Sequence, residues 1–212
     1  MNPTEWRAYL VTQASRSAGR ETEAIVEAAL DGGVDAVQLR EKGRSARERY
    51  ELGRRLRELT ADAGVALIVN DRVDLAAAVD ADGVHLGQSD LPAAVARERL
   101  GDEAIVGVSA STVPEARAAA DAGADYLGVG AVYETDTKDV ASESNGVGPE
   151  RVAAIAEAVD LPVVGIGGID AGNAGAVAAA GAAGVAVVSA ITAADDPRAA
   201  TAELREVVGD GR

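Results

Sequence analysis

Short apolar runs alternate with longer amphipathic ones from one end of the chain to the other. Strands are expected near AYLVT (8–12), VDAVQL (34–39), VALIV (65–69), GVHLG (83–87), AIVGVS (104–109), DYLGVG (125–130), PVVGI (162–166) and GVAVVSA (184–190). Each is too short for a helix and is bounded by turn-forming residues. Helical segments fill the gaps, most clearly over 21–31, 44–63, 112–122, 148–159 and 196–208, which are rich in Ala, Glu, Leu and Arg. The joints between helix and strand repeat a small pattern: AALDGGVDAVQL, AAVDADGVHL, AAADAGADYLGV and AAAGAAGVAVV. Each reads as an Ala-rich helix ended by a glycine C-cap, a short loop and an apolar strand. Eight such units in 212 residues, joined by right-handed crossovers, close most naturally into an α/β (β/α)8 TIM barrel. One domain over residues 1–212 is expected, with a long loop at 131–147 after the sixth strand. A doubly wound open sheet is the alternative, because alternation alone does not show closure.

Composition narrows what the barrel can do. Hydrophobic residues make up 48% of the chain but aromatics only 2%, with no Phe, so the core is built from Val, Leu, Ile and Ala. The formal net charge of -15 argues against non-specific nucleic-acid or anionic-membrane partners, because the average field repels phosphate. An anion ligand then needs a local cationic pocket. Of the 20 Lys and Arg residues 18 are Arg, and the two lysines are Lys42 and Lys138. Adaptation to high ionic strength and a GC-rich genome both account for that usage. Without cysteine there are no disulfides and no thiolate chemistry. The start, MNPTEWRAYLVTQ, lacks a basic region followed by a long apolar run, and no stretch reaches the roughly 18 apolar residues of a membrane span. A cytoplasmic location is expected; the pattern sets no oligomeric state.

In a barrel, chemistry sits at the C-terminal ends of the strands and in the loops beyond them. Alternation turns Gln38 and Arg40 of QLREK inward and leaves Lys42 just past the strand end. The plain alternative is that Arg40 and Lys42 are solvated charges flanking Glu41. VNDRVDLA places Asn70 and Asp71 at the third strand end, where Asn-Asp is also an ordinary turn and N-cap signal. The only histidine, His85 of GVHLGQSD, shares the inward parity of Gly83 and Gly87; a lone inward His is more often a hydrogen-bonded core residue than a catalyst. Asp90 in the same stretch also reads as a helix cap. Asp71 and Asp90 follow neighbouring strands, and two carboxylates there suit Mg²⁺ shared with phosphate oxygens. Ser109 ends the fifth strand. In AVYETDTKDVASESNGVGPE, Thr135, Thr137 and Lys138 offer two hydroxyls and an ammonium to a diphosphate or phosphate. Gly167 and Gly168 of VVGIGGID, with Val188 and Ser189 opposite, match the place where barrels present backbone amides to phosphate. GIGGI is not a dinucleotide fingerprint and no Walker A motif occurs. Two anion sites emerge: Arg40, Lys42, Thr135, Thr137, Lys138 and the metal form one, Gly167 and Ser189 the other. A reaction joining two phosphorylated small molecules fits them.

QLREK, VNDRVDLA, GVHLGQSD, GVSAST, TDTK, VVGIGGI and VVSAI follow one another in the expected loops, and over residues 7–206 the chain resembles the thiamine phosphate synthase family. The resemblance implies a transferase that joins 4-amino-2-methyl-5-hydroxymethylpyrimidine diphosphate to thiazole phosphate by a dissociative route. It implies that Arg40, Lys42, Asn70 and Lys138 contact the pyrimidine diphosphate, and that Asp71 and Asp90 hold Mg²⁺. Arg40, Lys42 and Lys138 would then carry catalysis, with Gln38 and Ser109 near the pyrimidine or its diphosphate. It moves Thr135 and Thr137 to the thiazole phosphate, beside Gly167, Val188 and Ser189, against the assignment made from residue types alone. Glu134 stands where family members usually carry proline, so weaker thiazole phosphate binding is expected, and DVASESNGVG is expected to act as a lid. A thiazole tautomerase-like isomerase of the same fold and a non-catalytic phosphate-binding barrel are the alternatives; the charged strand-end set favours the transferase.

Overall fold

The computed structural model describes residues 2–135 and 145–211, in which eight parallel strands close into a barrel. They are β1 (Ala8–Val11), β2 (Ala36–Leu39), β3 (Ala66–Asn70), β4 (Gly83–Leu86), β5 (Ile105–Ala110), β6 (Tyr126–Val129), β7 (Val163–Ile166) and β8 (Gly184–Val187). Each pairs with its successor, and β8 returns to β1 with Tyr9 opposite Ala186. That closure excludes the open sheet. The helices are α1 (Thr22–Asp31), α2 (Ala46–Ala63), α3 (Val73–Ala78), α4 (Ala93–Leu100), α5 (Val113–Asp121), α6 (Pro149–Ala156), α7 (Ala174–Ala179), α8 (Ser189–Thr192) and α9 (Pro197–Asp210). Among the described residues no helix is long and apolar enough to cross a membrane.

Alternation along the strands sorts side chains into two cores. Leu10, Val37, Leu39, Leu67 and Leu127 face outward and pack under the helices, as do Leu52 and Leu56, one turn apart on α2. Tyr9, Val11, Ile68, Tyr126 and Val164 fill the barrel interior, and Trp6 packs against both tyrosines with ring centroids 5.2 and 5.1 Å away. Helix α2 carries the strongest start and stop signals. Ser45 and Glu48 form a capping box at its N-terminus, and Gly64 takes the left-handed conformation (φ 68°) that ends it. Truncating Leu52 or Leu56, both fully buried, to Ala would cost about 2–5 kcal/mol.

The repeated joints have a structural meaning that composition does not give. At the foot of β2, β4 and β6 stands an aspartate whose carboxylate accepts backbone N–H groups of the preceding strand and an arginine from a helix. Asp35 accepts from Arg7 N (2.9 Å), Ala8 N (3.0 Å) and the Arg205 guanidinium of α9 (2.9 Å). Asp82 accepts from Leu67 N (2.8 Å) and Arg57 of α2 (3.0 Å), and Asp125 from Val106 N (2.7 Å) and Arg97 of α4 (2.6 Å). Before β8 the same position is Ala183, which has only its backbone N–H to give, to Val163 O at 2.7 Å.

Two expectations are corrected. The second joint does not end its helix with glycine: Asp80 takes the left-handed position (φ 55°) that Gly33, Gly123 and Gly181 hold in the others, and Gly83 already belongs to β4. The eighth strand stops at Val187 instead of running to 190. Val188 leaves extended geometry (φ -106°, ψ -86°) and accepts the N–H of Thr192 at 2.9 Å, so SAIT forms a turn of helix that buries Ile191.

Candidate active site

QLREK divides its work by parity. Gln38 is buried and points into the barrel, where its amide N–H donates to the Tyr9 hydroxyl at 2.8 Å. Arg40 is steadied by its own backbone N–H donating to Thr12 Oγ1 (3.1 Å) and its guanidinium donating to Gln13 Oε1 (2.8 Å). Glu41 is not a solvated charge. It is 4% exposed and accepts from Ala14 N (2.9 Å) and the Thr22 hydroxyl (3.1 Å), which pins the β1–α1 connection to the strand end. Lys42 stands beyond it, its side chain 55% exposed, with Nζ 2.8 Å from Asp71 Oδ2.

Asp71 and Asp90 face each other across the tops of β3 and β4. Asp71 is not a helix cap; it sits at φ 64° with its N–H still bonded to His85 O at 2.8 Å, so the chain turns sharply at the sheet edge. Asp90 does not cap α4 either, because its Oδ2 accepts the N–H of Gly87 at 2.7 Å and closes its own loop. Burial raises both carboxyls. In Asp71 the hydrogen bond and charge of Lys42, then Asp90 and Arg40, outweigh burial and hold it below the usual range. In Asp90 the Gly87 N–H pulls the other way but the neighbouring Asp71 adds to burial, and its carboxyl stays above the usual range. Two carboxylates here share the field of one ammonium, which occupies the electrostatic position a divalent cation would fill. The donor set suits a hard ion such as Mg²⁺. Among the described residues no group of three or more ligating side chains exists, so the remaining donors would come from ligand oxygens and water.

Beside this cluster a cavity of about 390 Å³ opens at the mouth of the barrel. Gly167, Gly168, Val188 and Ser189 form one wall, Thr135 and Glu134 the rim, and Arg16, Arg40 and Asp170 bring charge into it. Gly167 is required by geometry: its φ is 101° and a Cβ there would lie 2.5 Å from the Ala131 Cβ. Arg40 also lines a smaller cavity of about 40 Å³ deeper in the barrel, with Gln38, Asn70, His85 and Ser109. Arg40 thus stands between the carboxylate cluster and the larger cavity.

Of the residues singled out from sequence, Arg40, Thr135, Gly167, Val188 and Ser189 meet in the large cavity, and Gln38, Asn70 and Ser109 line the small one below. Lys42, Asp71 and Asp90 form the rim cluster. Thr137 and Lys138 lie outside the described residues. Thr135 shares the cavity of Gly167 and Ser189, not the carboxylate cluster where residue types alone had put it. Sequence reasoning missed Arg16 and Asp170, delivered by loops after β1 and β7, and the buried hydroxyls of Tyr9 and Tyr126. Strand parity, applied to DYLGVG as it was to QLREK, points Tyr126 inward.

Two cavities and a charged cluster thus gather at the C-terminal ends of the strands, where enzymes of this architecture hold their active sites. A family model described as thiamine monophosphate synthase matches residues 8–191. A thiamine-phosphate synthase of Haloarcula marismortui is 64% identical over 209 residues, 98% of this chain and 99% of that protein. One from Moorella thermoacetica is 54% identical over 204 residues, covering 96% of each chain. The solved thiamine phosphate pyrophosphorylase of Pyrococcus furiosus superposes with a TM-score of 0.89 at 41% identity, over 99% of this chain and 98% of that one. The chain belongs to the thiamine monophosphate synthase family, whose members are transferases.

Proposed function

We propose that this chain condenses 4-amino-2-methyl-5-hydroxymethylpyrimidine diphosphate with thiazole phosphate, releasing diphosphate and forming thiamine phosphate. The C–O bond to diphosphate breaks first, leaving a pyrimidine-methyl cation. The thiazole nitrogen then supplies the electron pair of the new C–N bond. The observation that carries this reading is the pair of adjoining anion sites, a cation–carboxylate rim and a glycine-walled cavity, with Arg40 between them. Departure of diphosphate builds negative charge at the rim, where Arg40 and Lys42 stand to receive it; Lys138, outside the described residues, is assigned the same role by the family resemblance. Asn70, Gln38 and Ser109 hold the pyrimidine end. Thr135, Thr137, Gly167, Val188 and Ser189 take the thiazole phosphate, which Glu134 weakens by setting a carboxylate at the cavity edge. Asp71 and Asp90 are the residues that would hold Mg²⁺, which when bound supplies further positive charge to the leaving diphosphate. The reaction uses no side-chain nucleophile, in keeping with a chain that has one His and no Cys. The enzyme acts in the cytoplasm.

Incubation of the purified protein with both substrates and Mg²⁺, followed by oxidation to a fluorescent product, tests the reading. Thiamine phosphate is expected. Folded protein that yields none at any salt concentration up to the molar range would refute it.

A further inference from the structure

Five side chains form one hydrogen-bonded row across the barrel interior. Gln38 Nε2 donates to Tyr9 Oη at 2.8 Å, Tyr9 Oη meets Tyr126 Oη at 3.1 Å, Tyr126 Oη meets His85 Nδ1 at 2.9 Å, and His85 Nε2 meets Ser109 Oγ at 3.0 Å. Burial pushes both phenols well above their ordinary range, so each keeps its single proton. Those protons can be counted along the row. With the Gln38 amide as donor, the order that gives both buried phenol protons an acceptor sends that of Tyr9 to Tyr126 and that of Tyr126 to Nδ1. His85 is then the Nε2–H tautomer and donates to Ser109. Ser109 has an acceptor lone pair filled from behind, and its hydroxyl proton is the one member of the row left over, at the lining of the small cavity. Reversing the row would leave the buried Tyr9 proton without an acceptor in it.

The backbone makes room for this arrangement. A Cβ on Gly107 would lie 2.1 Å from Tyr126 Cζ, and one on Gly128 would lie 2.8 Å from His85 Cε1. The register explains both: Gly107 is the β5 partner of His85 on one side and of Tyr126 on the other, and Gly128 is the β6 partner of Ser109. Glycine at these two positions leaves room for the Tyr126 ring beside β5 and for the His85 ring to reach across β5 toward β6.

We propose that Tyr9, Tyr126 and His85 are positioning residues that fix Ser109 as a hydrogen-bond donor, selecting an acceptor atom on the heterocycle of the pyrimidine substrate. The substrate half of this inference rests on the function proposed above; the tautomer half stands without it. All three border the small cavity, but the role proposed for them acts through Ser109. Their effect is to remove the freedom of one hydroxyl rotor before the ligand arrives.

Because the chain has a single histidine, its tautomer can be read directly from long-range ¹H–¹⁵N correlations of ¹⁵N-labelled protein. The expected spectrum shows a bare Nδ1 and a protonated Nε2. A protonated Nδ1, or fast averaging of the two forms, would overturn the proposal, since either reverses or dissolves the row. The kinetic arm compares His85→Gln, whose amide N–H₂ can still donate to Ser109, with His85→Asn, whose shorter chain cannot. The Gln variant is expected to stay within about threefold of wild-type kcat/KM for the pyrimidine substrate, and the Asn variant to lose about tenfold, the loss of one hydrogen bond. Equal losses in two folded variants would reduce His85 to a structural residue. Absence of turnover in the wild type would instead sink the proposed function while leaving the tautomer measurement intact.

Discussion

Replacing Lys42 by Met separates what this lysine does for stability from what it does for turnover. Its ammonium lies 2.8 Å from Asp71, but the side chain is 55% exposed and that of Asp71 26%, so water and salt compete for both charges. An ion pair of that exposure contributes about 0–1 kcal/mol to folding. If Lys42 receives the departing diphosphate as proposed above, the same ammonium faces charge that develops beside Arg40 in a site closed off by ligand, where a single preorganised donor is worth about 2.7–4 kcal/mol. Lys42→Met should therefore lower kcat about 10²–10³-fold and shift the urea unfolding free energy by about 1 kcal/mol or less. Lys42→Arg keeps the charge but changes reach and geometry; its turnover is expected between wild type and Met. The assay is saturation kinetics in each substrate with equilibrium unfolding on the same preparations. A Met variant within about threefold of wild-type kcat would refute the assignment, as would a loss of activity that merely follows unfolding.

Three further outcomes are expected. Asp90→Asn, which keeps an acceptor for the Gly87 N–H, should raise the Mg²⁺ concentration giving half-maximal rate about tenfold or more with little effect on unfolding; an unchanged metal requirement would remove Asp90 from the metal site. Asp82→Ala takes the acceptor from Leu67 N, on a fully buried residue, and from Arg57, and should destabilise the fold by about 2–4 kcal/mol in denaturant titration, with Asp82→Asn losing less than half of that; equal stability of all three would deny the clamp any role. Asp80→Gly relieves a left-handed backbone at φ 55° and should raise stability by about 0.5–1 kcal/mol; a destabilised variant would mean that the carboxylate holds a contact worth more than the strain.

Strands were legible because their side chains alternate and both faces are buried, so the runs stand out and parity gives direction; the inward placing of Gln38, Arg40 and His85 followed from that alone. The end of the eighth strand was not, because VVSAI is as apolar in a helical turn as in a strand, and the burial of Ile191 decides between them. Arg16 and Asp170 were illegible for another reason. Arg16 reaches the cavity because the Thr192 hydroxyl of α8 bonds its carbonyl at 2.6 Å, a contact between residues 176 positions apart that no local pattern records. The aspartates of VDAV, ADGV and ADYL were visible as a repeat, but only the register, with each carboxylate reaching back to the strand before, gives the repeat a purpose.

Those clamps follow a rotation of order four around the barrel axis, since the last helix serves Asp35 as α2 serves Asp82 and α4 serves Asp125. Ala183 breaks the rotation at the foot of β8. In hydrogen-exchange terms the clamped amides of Ala8, Leu67 and Val106 are expected among the slowest, and the foot of β8 lacks the clamp that the other even-numbered strands carry. The cavity wall of Gly167, Gly168, Val188 and Ser189 rises from the tops of β7 and β8. The missing clamp thus falls under the two strands that wall the large cavity, and exchange is expected to quicken there first.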